Sequence, residues 1–144
     1  MTRLNALQPL ALLLLRLAFG IIFMWHGYPK LTHPAGMQGM FVQHGLPSYF
    51  VTISGVLEVF GGALLIIGLF TRVAALLLAI EMGVALWKVH SSAGIMAVHN
   101  YEFPLALLVG CFALATIGAG RASADYPLYE SGAQRRRGIV RVKA

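Results

Sequence analysis

The stretch YFVTISGVLEVFGGALLIIGL, residues 49–69, decides the fold. Glu58 is its one formally charged side chain, and it contains no proline. Coiled into a helix at 1.5 Å per residue, it reaches about 30 Å, the thickness of a bilayer's hydrocarbon core. Three further apolar runs occupy residues 9–28, 73–89 and 103–119. The last two are short for a crossing, so their ends are expected to borrow interfacial residues. Short connections force antiparallel neighbours. The expected fold is all-α: an integral membrane four-helix up-down-up-down bundle over residues 1–125, followed by a basic tail, 126–144.

Composition points the same way. Hydrophobic residues make up 58% of the chain, charged residues 11%, and the mean hydropathy is +0.76. A soluble domain carries roughly 25% charged residues. The first run also has the look of a signal sequence, with Arg3 ahead of it, but Arg16 interrupts it and no small-residue cleavage site follows before Lys30. It is read as a span.

The net charge of +6 collects after the fourth run, at Arg121, Arg135, Arg136, Arg137, Arg141 and Lys143. The other connections hold Lys30, Arg72 and Lys88. Four spans place both termini on one side, and the positive-inside rule makes that side cytoplasmic. A juxtamembrane segment against anionic lipid explains the tail; nucleic-acid binding does not. The single cysteine, Cys111, lies within the fourth run, so no internal disulfide or C-x-x-C chemistry exists.

Ionisable side chains at membrane depth are expensive and mark a functional path or a buried pair. Counted from the cytoplasmic helix ends, Arg16, Glu81 and Glu58 fall at about 10, 12 and 17 Å, one mid-membrane layer. Two carboxylates and one guanidinium do not balance, so either one glutamate holds a proton or another cation reaches in. Lys88, seven residues after Glu81 on the same helix face, is a candidate. Gly55, Gly61 and Gly62 flank Glu58, and Gly20 and Gly27 share the face of Arg16; such spacings let helices approach closely in lipid. An Arg16–Glu58 pair is therefore expected, serving either chemistry or helix register alone.

A second layer lies at the outer boundary: His26, Lys30, Lys88, His90, His99 and Glu102, with Trp25, Tyr28, Trp87 and Tyr101. An aromatic belt with snorkelling lysines fits these residues. So does a polar pocket opening outward, where histidine carries protons and aromatics flank a quinone headgroup. His26, His90, His99 and Glu102 could ligate a metal, but no H-x-x-x-H spacing occurs, and no metal is assigned. Haem between His26 and His90 is weaker still, since His90 lies opposite Glu81 on its helix. The connection over residues 31–48 is expected to form a short interfacial helix or a plain linker over the bundle mouth.

Taken in order, Arg16-Leu17-x-x-Gly20, Phe23, His26-Gly27-x-x-Lys30, Gly45-Leu46-Pro47, Glu58-x-x-Gly61-Gly62, Gly68-Leu69-Phe70-Thr71-Arg72, Glu102 and Gly118-x-Gly120-x-x-Ser123-x-Asp125 resemble the DoxX family of small four-helix bacterial membrane proteins. The likeness runs from about residue 14 to 125. Ala119 and Ala124 stand where the family usually has proline and leucine. The resemblance implies a place in the bacterial inner membrane. Relatives in the wider group include a subunit of a thiosulfate:quinone oxidoreductase, and others are linked to oxidoreductase complexes in redox and thiol stress. Arg16, His26, Lys30, Glu58, Arg72 and Glu102 carry over as motif positions, none as a proven catalyst.

Three functions follow as expectations. The first is the membrane subunit of a quinone-linked oxidoreductase system, with electrons from a soluble or membrane redox partner because the chain has no self-contained catalytic motif. The second is a proton-coupled transporter working through Glu58 and Glu81, as a homo-oligomer. The third is a non-catalytic scaffold that recruits partners through its tail.

Overall fold

The computed structural model describes residues 6–90 and 98–127, which hold helices and turns and no strand. Helix α1 runs Gln8–Thr32, α2 Ala35–Gln43, α3 Phe50–Ile67, α4 Thr71–Ala85 and α5 Val98–Ile117. A π-helical turn, Leu86–His90, continues α4. The tail beyond Pro127 lies outside the described residues.

Of the four segments expected to cross a membrane, α1 and α3 are long and apolar enough by themselves. Helix α4 has 15 residues, about 22 Å, and the apolar part of α5 is the shorter Tyr101–Ile117. Helix α1 exceeds its expected end at residue 28. Pro9 sits in its first turn, where a missing N–H is harmless, and it passes through Pro29 before the His33 N–H bonds the Pro29 carbonyl at 2.9 Å. That extra turn carries Lys30.

The buried residues of α1 are Leu12, Arg16, Gly20, Phe23 and Gly27, one stripe at helical spacing. Those of α3 are Val51, Gly55, Glu58, Gly61, Gly62 and Leu65. The two stripes meet backbone to backbone. A Cβ on Gly20 would lie 2.6 Å from the Gly62 carbonyl oxygen, and one on Gly27 would lie 2.9 Å from that of Gly55. The ascending order on one helix meets the descending order on the other, so α1 and α3 are antiparallel. Gly61 faces the next helix instead: its Cβ would lie 3.1 Å from Leu78. Alanines 74, 75 and 79 and Leu78 of α4 pack with Leu107, Cys111 and Leu114 of α5 to complete the core.

The polarity is inside out. Arg16, Glu58 and Thr71 are buried, while Ile21, Phe60, Ile80 and Phe112 are each more than half exposed. So much large apolar surface facing outward suits lipid, not water. Of the two forms expected for the connection, a short helix or a plain linker, the structure shows the helix, α2, which buries none of its residues.

At the pole where α3 turns into α4, Gly68 ends α3 with φ 73° and Phe70 takes φ 49°, a conformation that costs a non-glycine residue about 1–2 kcal/mol. Asp125 holds the turn in place. Its two carboxylate oxygens accept the Phe70 N–H at 2.8 Å and the Thr71 N–H at 2.9 Å. The Asp125 N–H in turn donates to the Gly68 carbonyl at 2.9 Å. A carboxylate at a helix N-terminus satisfies unpaired amides and faces the positive end of the helix dipole.

Candidate functional site

The glycines decide which charges meet. Because Gly27 has no side chain, Glu58 packs directly on α1: a Cβ at 27 would lie 2.8 Å from the Glu58 Cβ. Because Gly55 has none, the stem of Lys30 crosses α3 at equally close range. The Lys30 ammonium thereby reaches Glu58 Oε2 at 2.6 Å, with the two side chains only 16% and 4% exposed. Lys30 Nζ also donates to Ser54 Oγ at 2.8 Å. Ser54 Oγ in turn donates a short hydrogen bond to Glu81 Oε1 on α4. The other Glu81 oxygen is buried without a hydrogen-bond partner among the described residues.

The result is a chain of four groups across three helices: Glu58, Lys30, Ser54, Glu81. Two carboxylates face one ammonium, and Glu81 feels the charge of Glu58 as well as that of Lys30. With both carboxylates ionised the cluster is one positive charge short, and a single proton or cation completes it. Ser54 can pass a proton along the chain, since its oxygen accepts from Lys30 while its hydroxyl donates to Glu81.

This is not the expected pairing. Arg16 does not meet Glu58. Its Nη1 donates to the Ala119 carbonyl at 2.6 Å and its Nη2 to the Ala122 carbonyl at 2.8 Å, at the opposite pole. A Cβ on Gly68 would lie 2.7 Å from Nη1. The reason is register. Glu58 sits beside Gly27, eleven residues or about 16 Å along α1 from Arg16. Counting depth from the helix ends missed that α1 starts well before α3 ends, overlapping the turn at residues 119–123; Leu12 already lies under Gly120. Lys88 does not reach Glu81 either. The π-helical turn shifts the helix phase after Ala85, and the Lys88 ammonium lies 4.6 Å from the centre of the Trp87 ring.

Among the described side chains of the outer group, no contact joins one member to another. Lys30 turns inward to Glu58. His26 donates Nδ1–H to the Ile22 carbonyl at 2.8 Å and packs its ring on Phe103, centroids 5.5 Å apart. His99 and Glu102 are exposed. The side chain of His90 lies outside the described residues. No group of three or more His, Cys, Asp or Glu that could hold a metal ion occurs among the described residues. Ser54 was missed from the sequence; its position one helical turn before Glu58, on the same face, was the available signal.

A cavity of about 540 Å³ lies at the Arg16 pole, between the start of α4 and the end of α5. Phe70, Val73 and Ile117 form apolar walls, with Arg72, Arg121 and Asp125 at the rim.

Comparison with known proteins fits these features. An uncharacterized membrane protein of Mycobacterium tuberculosis is 32% identical over 85% of this chain and 83% of its own length. A Bacillus subtilis protein bearing the name "Putative oxidoreductase CatD" is 36% identical over 74% of this chain and 78% of its own. An uncharacterized Haemophilus influenzae protein is also 36% identical, over 74% and 75%. No solved structure matches. The profile of the family described as DoxX matches residues 11–91, which contain all but the first three residues of α1, the whole of α2 to α4, and every member of the Glu58–Lys30–Ser54–Glu81 chain. The protein is a membrane protein of the DoxX family.

Proposed function

We propose that this protein is the membrane-embedded subunit of a quinone-linked oxidoreductase system, and that the Lys30–Glu58–Ser54–Glu81 cluster moves the protons of that chemistry. The observation that carries this reading is a lysine paired with one buried carboxylate and joined to a second through a hydroxyl able to relay. Reducing a quinone consumes two electrons and two protons. The electrons come from a partner protein, since Cys111, the chain's one thiol, is buried. The cluster supplies a route for the protons. The name of the Bacillus subtilis relative agrees in its general class.

The setting belongs to the same proposal. All four long helices cross the bacterial inner membrane as an up-down-up-down bundle, α4 and α5 borrowing interfacial residues at their ends. Both termini are cytoplasmic, with the basic tail against anionic lipid. The test is a titration of purified protein with ubiquinone and menaquinone analogues, followed by assay with native partners. Micromolar binding, and loss of partner-dependent quinone reduction in Glu58→Gln and Glu81→Gln, is the expected result. Absence of binding together with full activity in both variants overturns the reading.

The open charge on Glu81 favours one alternative, proton-coupled transport of a small cation. Lys30 stands against it, because it already neutralises one of the two carboxylates. Proteoliposome flux that responds to pH and vanishes in Glu81→Gln, with no effect of quinone, decides for transport.

A further inference from the structure

The cavity at the Arg16 pole is not used by the proton cluster. Its walls are amphipathic in a specific way. Phe70, Val73 and Ile117, each more than half exposed, extend the apolar outer surface of α4 and α5 into it. Arg72 and Arg121 stand at the polar rim. The rim's carboxylate, Asp125, is already engaged by two backbone amides. Arg72 is held in place: its guanidinium lies across Gly118, where a Cβ would sit 3.2 Å from Nε, and it makes one long hydrogen bond of 3.3 Å to the Ile117 carbonyl. Among the described residues, most of its donors have no partner. Arg121 is exposed and has no hydrogen bond or ion pair among the described residues.

We propose that this cavity binds an anionic phospholipid. The phosphodiester would be held between Arg72 and Arg121, and the acyl chains would run along Val73 and Ile117 into the bilayer. Charge complementarity selects the occupant: among the described residues the rim holds two guanidiniums with spare donors against one carboxylate already bound to backbone amides, and an apolar wall leads outward to lipid. Guanidinium forks match phosphate oxygens in geometry as well as charge. A quinone carries no charge to meet them, and a free phosphate makes no use of the walls. The inference rests on the membrane setting and is independent of the quinone reading.

Native mass spectrometry of the full-length protein in mild detergent tests it, titrating dioleoylphosphatidylglycerol and dioleoylphosphatidylcholine separately. Both lipids carry the phosphodiester, but the choline cation of phosphatidylcholine offsets its charge and opposes the two arginines; at about fivefold per guanidinium for a net-anionic headgroup, phosphatidylglycerol binds about 25-fold more tightly than phosphatidylcholine. Arg72→Gln with Arg121→Gln abolishes that preference. Arg121→Gln alone, at an exposed side chain, lowers it about fivefold with unchanged thermal melting, so the proposal stays testable if the double variant fails to fold. Equal affinity for the two lipids overturns it. So does an anionic preference left undiminished, at about 25-fold, by Arg121→Gln, which would place recognition in the basic tail. Displacement of the bound lipid by inorganic phosphate or by a quinone analogue at equal concentration overturns it as well.

Discussion

Lys30 and Glu58 illustrate why a buried pair is asymmetric in energy. Each alone is an uncompensated charge in a low-dielectric interior, whereas the pair and a matched apolar replacement have similar stability. Lys30→Met should therefore destabilise the protein by about 3–5 kcal/mol. The double variant Lys30→Met with Glu58→Leu should regain most of that stability while losing proton-coupled activity. Thermal unfolding in detergent measures both, and a single variant that melts like the wild type would refute the pairing. Ser54 separates structure from relay. Ser54→Ala should lower stability by about 1 kcal/mol yet sharply slow the partner-dependent reaction, and Ser54→Thr should restore the rate by returning the hydroxyl. That Glu58, Glu81 and Arg16 would be buried or nearly so could be read from their place in apolar runs. Which cation meets which carboxylate could not, because it depends on a helix register that the sequence does not state. An error of about 16 Å along α1 exchanges Arg16 for Lys30.

At the scale of elements, the glycine stripes on α1 and α3 are the structural basis of the site. Gly20→Ala or Gly62→Ala places a methyl group 2.6 Å from the facing carbonyl oxygen and must push the two helices apart. Loss of about 2 kcal/mol or more is expected, with loosening of the Lys30–Glu58 contact. Gly39→Ala on α2, where nothing lies within 4 Å, should instead stabilise by about 0.5–1 kcal/mol. Opposite signs in one melting series check the packing directly. These stripes were legible from spacing alone, because small residues three and four apart mark a helix face whatever it packs against. The π-helical turn was not legible: no residue type demands it, and it redirected Lys88 from Glu81 to Trp87. The capping of α4 by Asp125 was legible only as part of a motif. Its action is long-range, across 54 residues to Thr71, and local pattern carries no sign of it. Asp125→Ala leaves two amides uncapped and should cost about 1–2 kcal/mol, read by unfolding and by faster amide exchange at Phe70 and Thr71.

For the molecule as a whole, the two poles have separate tasks. One pole carries the charge cluster; the other carries Arg16, the left-handed turn and the arginine-rimmed cavity. The proposed orientation puts the second pole in the cytoplasm with the tail. Protease added to inverted membrane vesicles should then remove the segment after Pro127 and leave the helical part intact, whereas right-side-out vesicles protect it. The reverse pattern would invert the topology. Hydropathy established the helical, membrane-embedded class, since an apolar run long enough to cross needs no partner to be recognised. How the helices are locked together rests on side chains reaching between distant segments, and this is where reading the linear chain stopped.

The grip of Arg16 on the Ala119 and Ala122 carbonyls, together with the Asp125 cap, has a consequence for biogenesis. Arg16 leaves the ribosome ahead of its partners, which are made more than one hundred residues later. Until α5 has entered the membrane, Arg16 has no carbonyl to hold and the start of α4 has no carboxylate. A nascent chain that stops short of Ala119 thus holds an arginine without its carbonyls and a helix start without its cap, so the last helix to be made is the one that closes the structure of the first.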